Sequence, residues 1–352
     1  MPAPSTDHDL RIWAYAFGYF ACYAPYSALT KAVSQGRFPG MSRGIGSFEI
    51  LPLTTFTSLV GMFTFLTLMG WWKHARHSTF LGRSLPHPGR WTFLSGLCSA
   101  AIIATTTLSY ALSGVSIVFM MLLMRGGVLV IAPIVDTVSH RKVRWYSWVA
   151  LALSLGALLA AVTERASYTL TLVAAADVGI YLTSYFIRLR FMSHLAKSDD
   201  ADEARRYFVE EQMVATPAIV LFLGLVALFA PGAAALQIRR GFTDIVASGG
   251  ALPCVVIGLL SQGTGIFGGL ILLDKRENTF CVPVNRASSI LAGLVATGLL
   301  TYFLGARPAP LAELVGAGLI LVAVAVLAVP GIVAARRKAS ALAPSPSPPG
   351  SG

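Results

Sequence analysis

The sequence predicts an all-α integral membrane protein with ten transmembrane helices, arranged as two inverted five-helix repeats. The first observation is composition: 55% of the 352 residues are hydrophobic and only 12% are charged, about half the charge of a typical soluble domain. The second is that the apolar residues fall in runs long enough to cross a hydrocarbon core of about 30 Å. The third is an internal repeat at an offset of 161 residues.

Ten apolar runs follow one another along the chain. The first begins at Arg11; it is too long for a signal-peptide core and lacks a convincing cleavage site, so we expect it to remain as a span. The predicted spans are residues 11–33, 48–71, 91–112, 115–136, 145–163, 168–191, 208–230, 249–273, 279–303 and 311–334. The first repeat is then 11–163 and the second 168–335. Residues 1–10 form a short polar N-terminus, and the Pro/Ser/Gly-rich tail 341–352 is predicted to be disordered.

The charged residues indicate the topology. The net charge is +11, but no basic patch is interleaved with exposed aromatic residues, so nucleic-acid binding is not expected. If the N-terminus is cytoplasmic, 18 Lys and Arg residues lie at cytoplasmic span ends and 7 at the opposite ends. The positive-inside rule therefore places both termini in the cytoplasm. Arg outnumbers Lys by 21 to 6, which is typical of a GC-rich bacterial genome, and the predicted location is the bacterial inner membrane.

The repeat relates polar as well as apolar residues. At an offset of 161 the matching pairs include Glu49 with Glu210, Thr55 with Thr216, Phe119 with Phe280, and Arg125 with Arg286. At an offset of 162, Tyr19 matches Tyr181 and Tyr23 matches Tyr185. Because five is an odd number of spans, the second repeat must enter the membrane from the opposite side, which is the design of many secondary transporters.

Arg125 and Arg286 are the central features of the two repeats. Each lies about ten residues into an apolar span, and in an inverted repeat both therefore arrive near the bilayer midplane. A guanidinium there costs about 2.5–3.5 kcal/mol on insertion scales, and it cannot escape that cost by losing its proton. A partner carboxylate, water or an anionic ligand must compensate for the charge, and the sequence leaves an ion pair with Glu49, Glu210 or Asp177 as the structural alternative to ligand binding.

Over residues 11–334 the chain resembles the drug/metabolite transporter superfamily, whose repeat is called EamA. The span count, the short connection between spans 3 and 4, and the repeat carry the resemblance, together with 128–161, which is similar to the family's span 4–5 unit, and 169–190, which is similar to its span 6. Two features differ. The hairpins 138–145 and 304–310 lack the Gly-Glu of many bacterial members, and Asn285-Arg286 keeps only the Arg of the Lys-Arg pair that binds phosphate in the sugar-phosphate translocator branch.

Two stripes of polar side chains are predicted to line a cavity. Asp177, Tyr181 and Ser184 share one face of span 6, and three tyrosines share one face of span 1. The alternative is that these groups only form hydrogen bonds between packed helices. The candidate substrate-binding residues are Arg125, Arg286, Tyr19, Tyr23, Tyr26, Asp177, Tyr181, Ser184 and Asn285.

Three carboxylates are candidates for proton coupling or charge balance. Asp177 lies inside a span, where a carboxylate is a functional candidate by default. Glu49 and Glu210 lie at span starts, where contact with a helix N-terminus or the membrane interface is the alternative explanation.

We expect a secondary transporter that moves a small organic metabolite, with an anionic phosphate or carboxylate group favoured, by alternating access. The alternatives are an exporter of cationic or amphipathic compounds, a lipid flippase or a polytopic enzyme. All six histidines lie outside the spans and no Gly-rich phosphate loop ending in Gly-Lys-Ser/Thr occurs, so we expect neither an enzyme nor a cofactor or metal site. The expected partners are the small-molecule substrate and the lipid bilayer, and a homodimer stays open.

Overall fold

The computed structural model of the protein describes residues 6–38, 40–80, 83–109, 117–160, 172–197, 200–305 and 311–342. Within these ranges the chain forms eleven α-helices, a two-stranded antiparallel sheet and a short 3-10 helix at Trp71–His74. The helices are α1 (Thr6–Ser34), α2 (Ser47–Leu68), α3 (Arg90–Ser109), α4 (Ile117–Val138), α5 (Trp145–Ala160), α6 (Leu172–Leu195), α7 (Ala201–Phe229), α8 (Ala233–Thr243), α9 (Ala251–Leu272), α10 (Asn278–Leu304) and α11 (Leu311–Leu342). The strands are β1 (Arg76–Phe80) and β2 (Arg83–His87).

Helices of the two halves pack mainly against each other rather than within their own half. In the first half, α1 packs against α9 and α10, and α2 packs against α9. In the second half, α6 packs against α3 and α4, and α7 packs against α3. Three further contacts join α5 to α11, α2 to α7, and α4 to α10. The two halves therefore share one helical core.

Five helices in the described part of the chain are long and apolar enough to cross a membrane. They lie at Phe48–Leu68, Leu172–Leu195, Ala201–Phe229, Ala251–Leu272 and Asn278–Leu304, and shorter apolar helices occur at Trp145–Ala157 and Leu314–Pro330. Large apolar side chains also project outward from these helices, as at Leu68 and Phe229, which are 81% and 78% exposed. A soluble protein rarely leaves so many exposed apolar groups next to one another, so this all-α architecture is compatible with a multi-pass membrane protein.

Several helices extend beyond the predicted spans. α1 begins at Thr6, inside the predicted polar N-terminus, and α7 begins at Ala201 rather than at residue 208, because Asp200 caps it by accepting a hydrogen bond from the backbone N–H of Asp202 at 2.8 Å. α11 continues to Leu342, so the first two residues of the predicted tail are helical; Ala, Arg and Lys in this stretch favour helix. Residues 343–352, the first residues of predicted span 6 and the connection 306–310 lie outside the described residues.

Two elements were not expected from the apolar pattern. The β1–β2 hairpin lies in the predicted connection between spans 2 and 3. The eleven-residue α8 lies between α7 and α9 and is too short to cross a bilayer. Arg239 of α8 donates hydrogen bonds to the carbonyl oxygens of Ala227 and Ala230 at 2.5 and 2.9 Å. α8 therefore satisfies carbonyl groups that the C-terminal end of α7 leaves unpaired.

Candidate functional site

Four tyrosines and two arginines meet in the middle of the helical bundle. We call this the tyrosine–arginine cluster: Tyr19 and Tyr23 on α1, Tyr181 and Tyr185 on α6, Arg125 on α4, and Arg286 on α10. The members of each tyrosine pair are four residues apart and therefore share one helix face. Their ring centroids are 5.5 Å apart for the pair on α1 and 5.0 Å apart for the pair on α6.

Each arginine donates a hydrogen bond to a tyrosine hydroxyl. Arg125 Nη2 lies 3.2 Å from Tyr23 Oη, and Arg286 Nη2 lies 2.8 Å from Tyr185 Oη. Both guanidinium groups also interact electrostatically with Tyr19. Arg125 and Arg286 occupy matching positions of the repeat, and so do their partners Tyr23 and Tyr185. Both arginines are also close enough to Tyr19 to interact with the same hydroxyl group.

Arg286 keeps donors available for a ligand. Its guanidinium lies 5.3 Å from the centroid of the Tyr185 ring, and its Nε is buried and has no hydrogen-bond partner among the described residues. Among these described residues no carboxylate forms an ion pair with Arg286. A guanidinium with a buried, unpaired N–H and no counter-charge is costly, and an anionic group that accepts from Nε and the remaining Nη donors supplies both the charge and the hydrogen bonds.

The other residues that were predicted to bind substrate surround this cluster. Tyr26 makes an edge contact with Tyr23, with ring centroids 5.6 Å apart, and Ser184 is buried on the cluster side of α6. Asn285 Nδ2 lies 3.5 Å from the carbonyl oxygen of Gly268 on α9. A Cβ atom at Gly268 would lie only 2.9 Å from the Tyr19 ring, so glycine is needed for this close approach.

An open cleft of about 670 Å³ lies between α1 and α10. On α1 it is lined by Ser27 and Lys31, which follow Tyr23 by four and eight residues and share its face. On α10 it is lined from Gly293 onward, seven residues after Arg286. The helical register therefore places the lining of the cleft on the same faces of α1 and α10 as Tyr23 and Arg286. It opens at the C-terminal ends of α1 and α10.

Glu49 and Glu210, two predicted candidates for charge balance, make contacts away from the cluster. Arg43 pairs with both carboxylate oxygens of Glu49, and this hydrogen-bonded contact raises the pKa of the Arg43 guanidinium. Glu210 accepts hydrogen bonds from the backbone N–H of Gly89 at 2.9 Å and from Thr92 Oγ1 at 2.6 Å, at the N-terminus of α3. Both contacts favour the structural explanation of these two carboxylates, in which they stabilise helix ends and loops.

Asp177 is in a different situation. It lies on α6 one turn before Tyr181, is only 2% exposed, and neither of its carboxylate oxygens has a hydrogen-bond partner among the described residues. A buried polar group without a partner costs about 1–3 kcal/mol, and more if it is charged. Such a group is either protonated, and therefore neutral, or stabilised by a bound cation or water. Asp177 therefore stays a candidate for proton coupling.

The sequence analysis missed a buried ion pair beside the cluster. Arg188 Nε and Nη2 donate to the two oxygens of Glu211 at 2.7 and 3.0 Å. Ser95 and Ser99 on α3 each donate to Glu211 Oε1 at 2.8 Å. Glu211 was overlooked because the repeat matches its neighbour Glu210; the available signal was the second carboxylate itself, with Arg188 on the cluster face of α6.

Asp136, at the end of α4, was also missed. It is fully buried and accepts four hydrogen bonds from the first two residues of α10. Its signal was a carboxylate at the end of an otherwise apolar run. Among the described residues, no group of three or more His, Cys, Asp or Glu side chains is arranged to hold a metal ion.

Comparison with known proteins adds information on the fold. No protein-family model matches the chain, and no curated protein matches its sequence. The chain is similar to a solved structure described only as "Crystal structure of protein", with 14% sequence identity and a TM-score of 0.53, over 93% of this chain and 98% of the other. The likeness extends over nearly the whole of both chains and concerns the fold alone.

Proposed function

We propose that this chain is a secondary transporter of the bacterial inner membrane that moves a small organic anion by alternating access. The proposal includes ten spans in two inverted repeats, residues 11–163 and 168–335, with both termini in the cytoplasm, and a place in the drug/metabolite transporter superfamily. The substrate site is the tyrosine–arginine cluster. Its anionic group accepts hydrogen bonds from Arg286 and Arg125, and the tyrosine rings contact its organic body.

The observation that carries this proposal is the pair of arginine–tyrosine contacts. Arg125 with Tyr23 and Arg286 with Tyr185 make equivalent hydrogen bonds from matching positions of the two repeats. A structural ion pair is the competing explanation for a midplane arginine. The described contacts of Arg286 favour a ligand, since Glu49 and Glu210 are engaged at helix ends and loops and Asp177 has no bond to it.

The packing of the helices supports the inverted repeat. If α1 to α5 correspond to α6, α7, α9, α10 and α11, a two-fold exchange converts the contact of α1 with α9 into that of α6 with α3. The same exchange converts α1–α10 into α6–α4, and α2–α9 into α7–α3. Close glycine contacts agree with it, since Gly96 packs α3 against α7 and Gly258, 162 residues later, packs α9 against α2. In this scheme α8 is an insertion in the second repeat.

The positive-inside topology places the cleft on the periplasmic side, since it opens beside the connections between spans 1 and 2 and between spans 9 and 10. Lys31 and Arg37 line its mouth. Two cations at the entrance of a narrow cleft raise the local concentration of an anion and favour its entry. The arrangement of charges along the path is therefore consistent with an anionic substrate.

The test is a binding screen followed by a transport assay. Purified protein is screened by thermal shift against phosphorylated, carboxylate, zwitterionic and cationic metabolites, and hits are measured by calorimetry and by counterflow in proteoliposomes. We expect an anionic hit that Arg286→Gln no longer binds. Arg190→Gln, at an exposed arginine of α6, is the matched control and should bind like wild type. Retention of anion binding by folded Arg286→Gln would contradict the proposed site.

The topology has an independent test. A reporter fused after Lys338 should indicate the cytoplasm, and one inserted near Gly40 should indicate the periplasm. The two positions are separated by an odd number of spans in the ten-span scheme, so reporters on the same side would rule out the inverted repeat.

Asp177 favours a second candidate function, an exporter of cationic or amphipathic compounds. Its buried carboxylate has no described partner and lies on the same helix face as Tyr181. A carboxylate beside aromatic rings is a suitable site for an organic cation. The same screen distinguishes the two functions, because binding of a lipophilic cation that is lost in Asp177→Asn, without any anionic hit, would favour the exporter.

A further inference from the structure

One end of the bundle is closed by a hydrogen-bonded lock between α4 and α10, the two helices that carry the arginines. Asp136 Oδ1 accepts from the backbone N–H and from Nδ2 of Asn278, at 2.9 and 2.8 Å. Asp136 Oδ2 accepts from the backbone N–H and from Oγ1 of Thr279, both at 2.7 Å. The carboxylate is 0% exposed. It therefore caps the N-terminus of α10 from a different helix and lies in the favourable field of that helix end.

A second layer of contacts surrounds this lock. Arg141, in the connection after α4, donates to the carbonyl oxygens of Lys275 and, at 3.3 Å, of Ser193. Lys197, after α6, donates to the carbonyl oxygen of Arg276 at 2.8 Å. The connections that follow α4, α6 and α9 are thus tied together over the same end of the bundle.

The tyrosine–arginine cluster lies between this closed end and the cleft. Arg286 follows Asn278 by eight residues, about 12 Å along the helix, whereas the cleft begins at Gly293 on the other side of Arg286. A ligand in the cluster therefore has the cleft on one side and the Asp136 lock on the other, and it can leave at the Asp136 end only after α4 separates from α10.

The two ends of the bundle are not equivalent in sequence. The position that matches Asp136 at an offset of 161 residues is Thr297. Thr297 Oγ1 donates to the carbonyl oxygen of Gly293 in its own helix, at 3.0 Å, and among the described residues it makes no hydrogen bond to another helix. The repeat therefore conserves the arginine–tyrosine contacts but supplies a carboxylate for the lock at only one end.

We infer that Asp136 is the latch of the gate opposite the cleft: its four hydrogen bonds hold α4 on the N-terminus of α10 while the cleft is open, and they break when the other side opens. This inference rests on the proposed alternating access. Pro283 lies between the latch and Arg286. Because proline lacks an N–H group, it frees the carbonyl oxygen of Thr279 from its helical hydrogen bond and weakens α10 at this point. The first turn of α10 can therefore move separately from the rest of the helix.

The experiment uses a native cysteine as reporter. Cys281 is fully buried directly behind the latch, and Cys254 is fully buried near the start of α9, toward the other end of the bundle. The protein in detergent is exposed to a hydrophilic maleimide, and labelling of each cysteine is followed by mass spectrometry. We expect Asp136→Asn to increase the labelling rate of Cys281 at least tenfold and to leave Cys254 unchanged. Asp200→Asn is the control: it makes the same substitution at the N-cap of α7, where the side chain caps its own helix and asparagine can accept the same hydrogen bond, so it should resemble wild type.

A second, milder variant keeps the test usable if Asp136→Asn does not fold. Thr279→Val removes one of the four hydrogen bonds and keeps the two backbone donors, so it should give a smaller increase at Cys281 in a folded protein. Wild-type labelling in both variants, or equal increases at Cys281 and Cys254, would overturn the latch. Because labelling is measured without substrate, failure to find any anionic ligand would count against the proposed function and leave this result unaffected.

Discussion

Replacing Arg286 by Lys separates a hydrogen-bonding role of this residue from a purely electrostatic one. Lysine keeps the positive charge but loses the planar fork of donors. In the structure one Nη donor of Arg286 is held by Tyr185 at 2.8 Å, while Nε is buried and has no described partner. Nη2 has a second N–H besides the one that Tyr185 accepts, so an anionic group beside Nε can accept two parallel hydrogen bonds, one from Nε and one from Nη2.

The expected magnitude follows from these donors. A lysine ammonium reaches the anion through a single contact, so the substitution removes one hydrogen bond to a charged group, about 1.5–3 kcal/mol. This corresponds to a loss of affinity of about tenfold to 150-fold. Arg125→Lys, at the matching position, should weaken binding by at least tenfold, and Arg→Gln at either position should abolish it.

The assay is calorimetric titration of the best anionic ligand into purified wild type and variants, with thermal unfolding as the test of folding. Arg190→Lys makes the same substitution at an exposed arginine of α6 and should leave affinity unchanged. If Arg286→Lys binds and transports like wild type, Arg286 is not a bidentate anchor, and charge balance within the bundle becomes the better explanation of its conservation between the repeats.

Glu211→Gln should lower the free energy of unfolding by about 3–5 kcal/mol, since it leaves a buried guanidinium without its counter-charge, and a wild-type unfolding transition in detergent would contradict this. Asp177→Asn should raise the melting temperature by removing a buried carboxylate that has no described partner. If Asp177 carries the coupled proton, the variant should also lose pH-gradient-driven transport but keep counterflow, whereas wild-type gradient-driven transport assigns it a structural role. Gly268→Val should reduce ligand affinity at least tenfold by displacing the Tyr19 ring, whereas Gly298→Val, which points into open space, should not.

The sequence could predict the helices and many members of the tyrosine–arginine cluster because both depend on regular spacing. Apolar runs mark helices in a membrane, and the repeat places Arg125 and Arg286 at matching positions of two spans. Tyr185 illustrates the limit of this approach: it was recognised as the repeat partner of Tyr23, but its contact with Arg286 depends on how α6 and α10 cross. Helix crossing angles follow from side-chain packing, which spacing along one chain does not contain.

The elements that were missed depend on contacts between distant parts of the chain. α8 contains no apolar run that would mark it as a helix. Its contact with the rest of the protein includes the hydrogen bond from Arg239 to a carbonyl oxygen at the end of α7. Asp136 reads as the polar end of a span, and its partners lie 142 and 143 residues later. Glu49 and Glu210 match in the repeat but have different partners, Arg43 and the start of α3. An internal repeat therefore predicts position in the fold better than it predicts the contact made there.

The distribution of matching and non-matching positions has a mechanistic consequence. In an inverted repeat the two access states are related by exchanging the repeats, so symmetric contacts at the cluster contribute similarly to both and set affinity rather than direction. Among the described residues the bonds of Asp136 have no counterpart at Thr297, and in the proposed mechanism they stabilise only the state that is open through the cleft. Each hydrogen bond to a charged group contributes about 1.5–3 kcal/mol, and about 5.5 kcal/mol is enough to move a two-state equilibrium from 1:99 to 99:1. A few such bonds, partly replaced by water when the gate opens, are therefore sufficient to make the state that is open through the cleft the resting state. For transport to occur, the substrate must bind the opposite state more tightly, by enough free energy to compensate for breaking the bonds of Asp136.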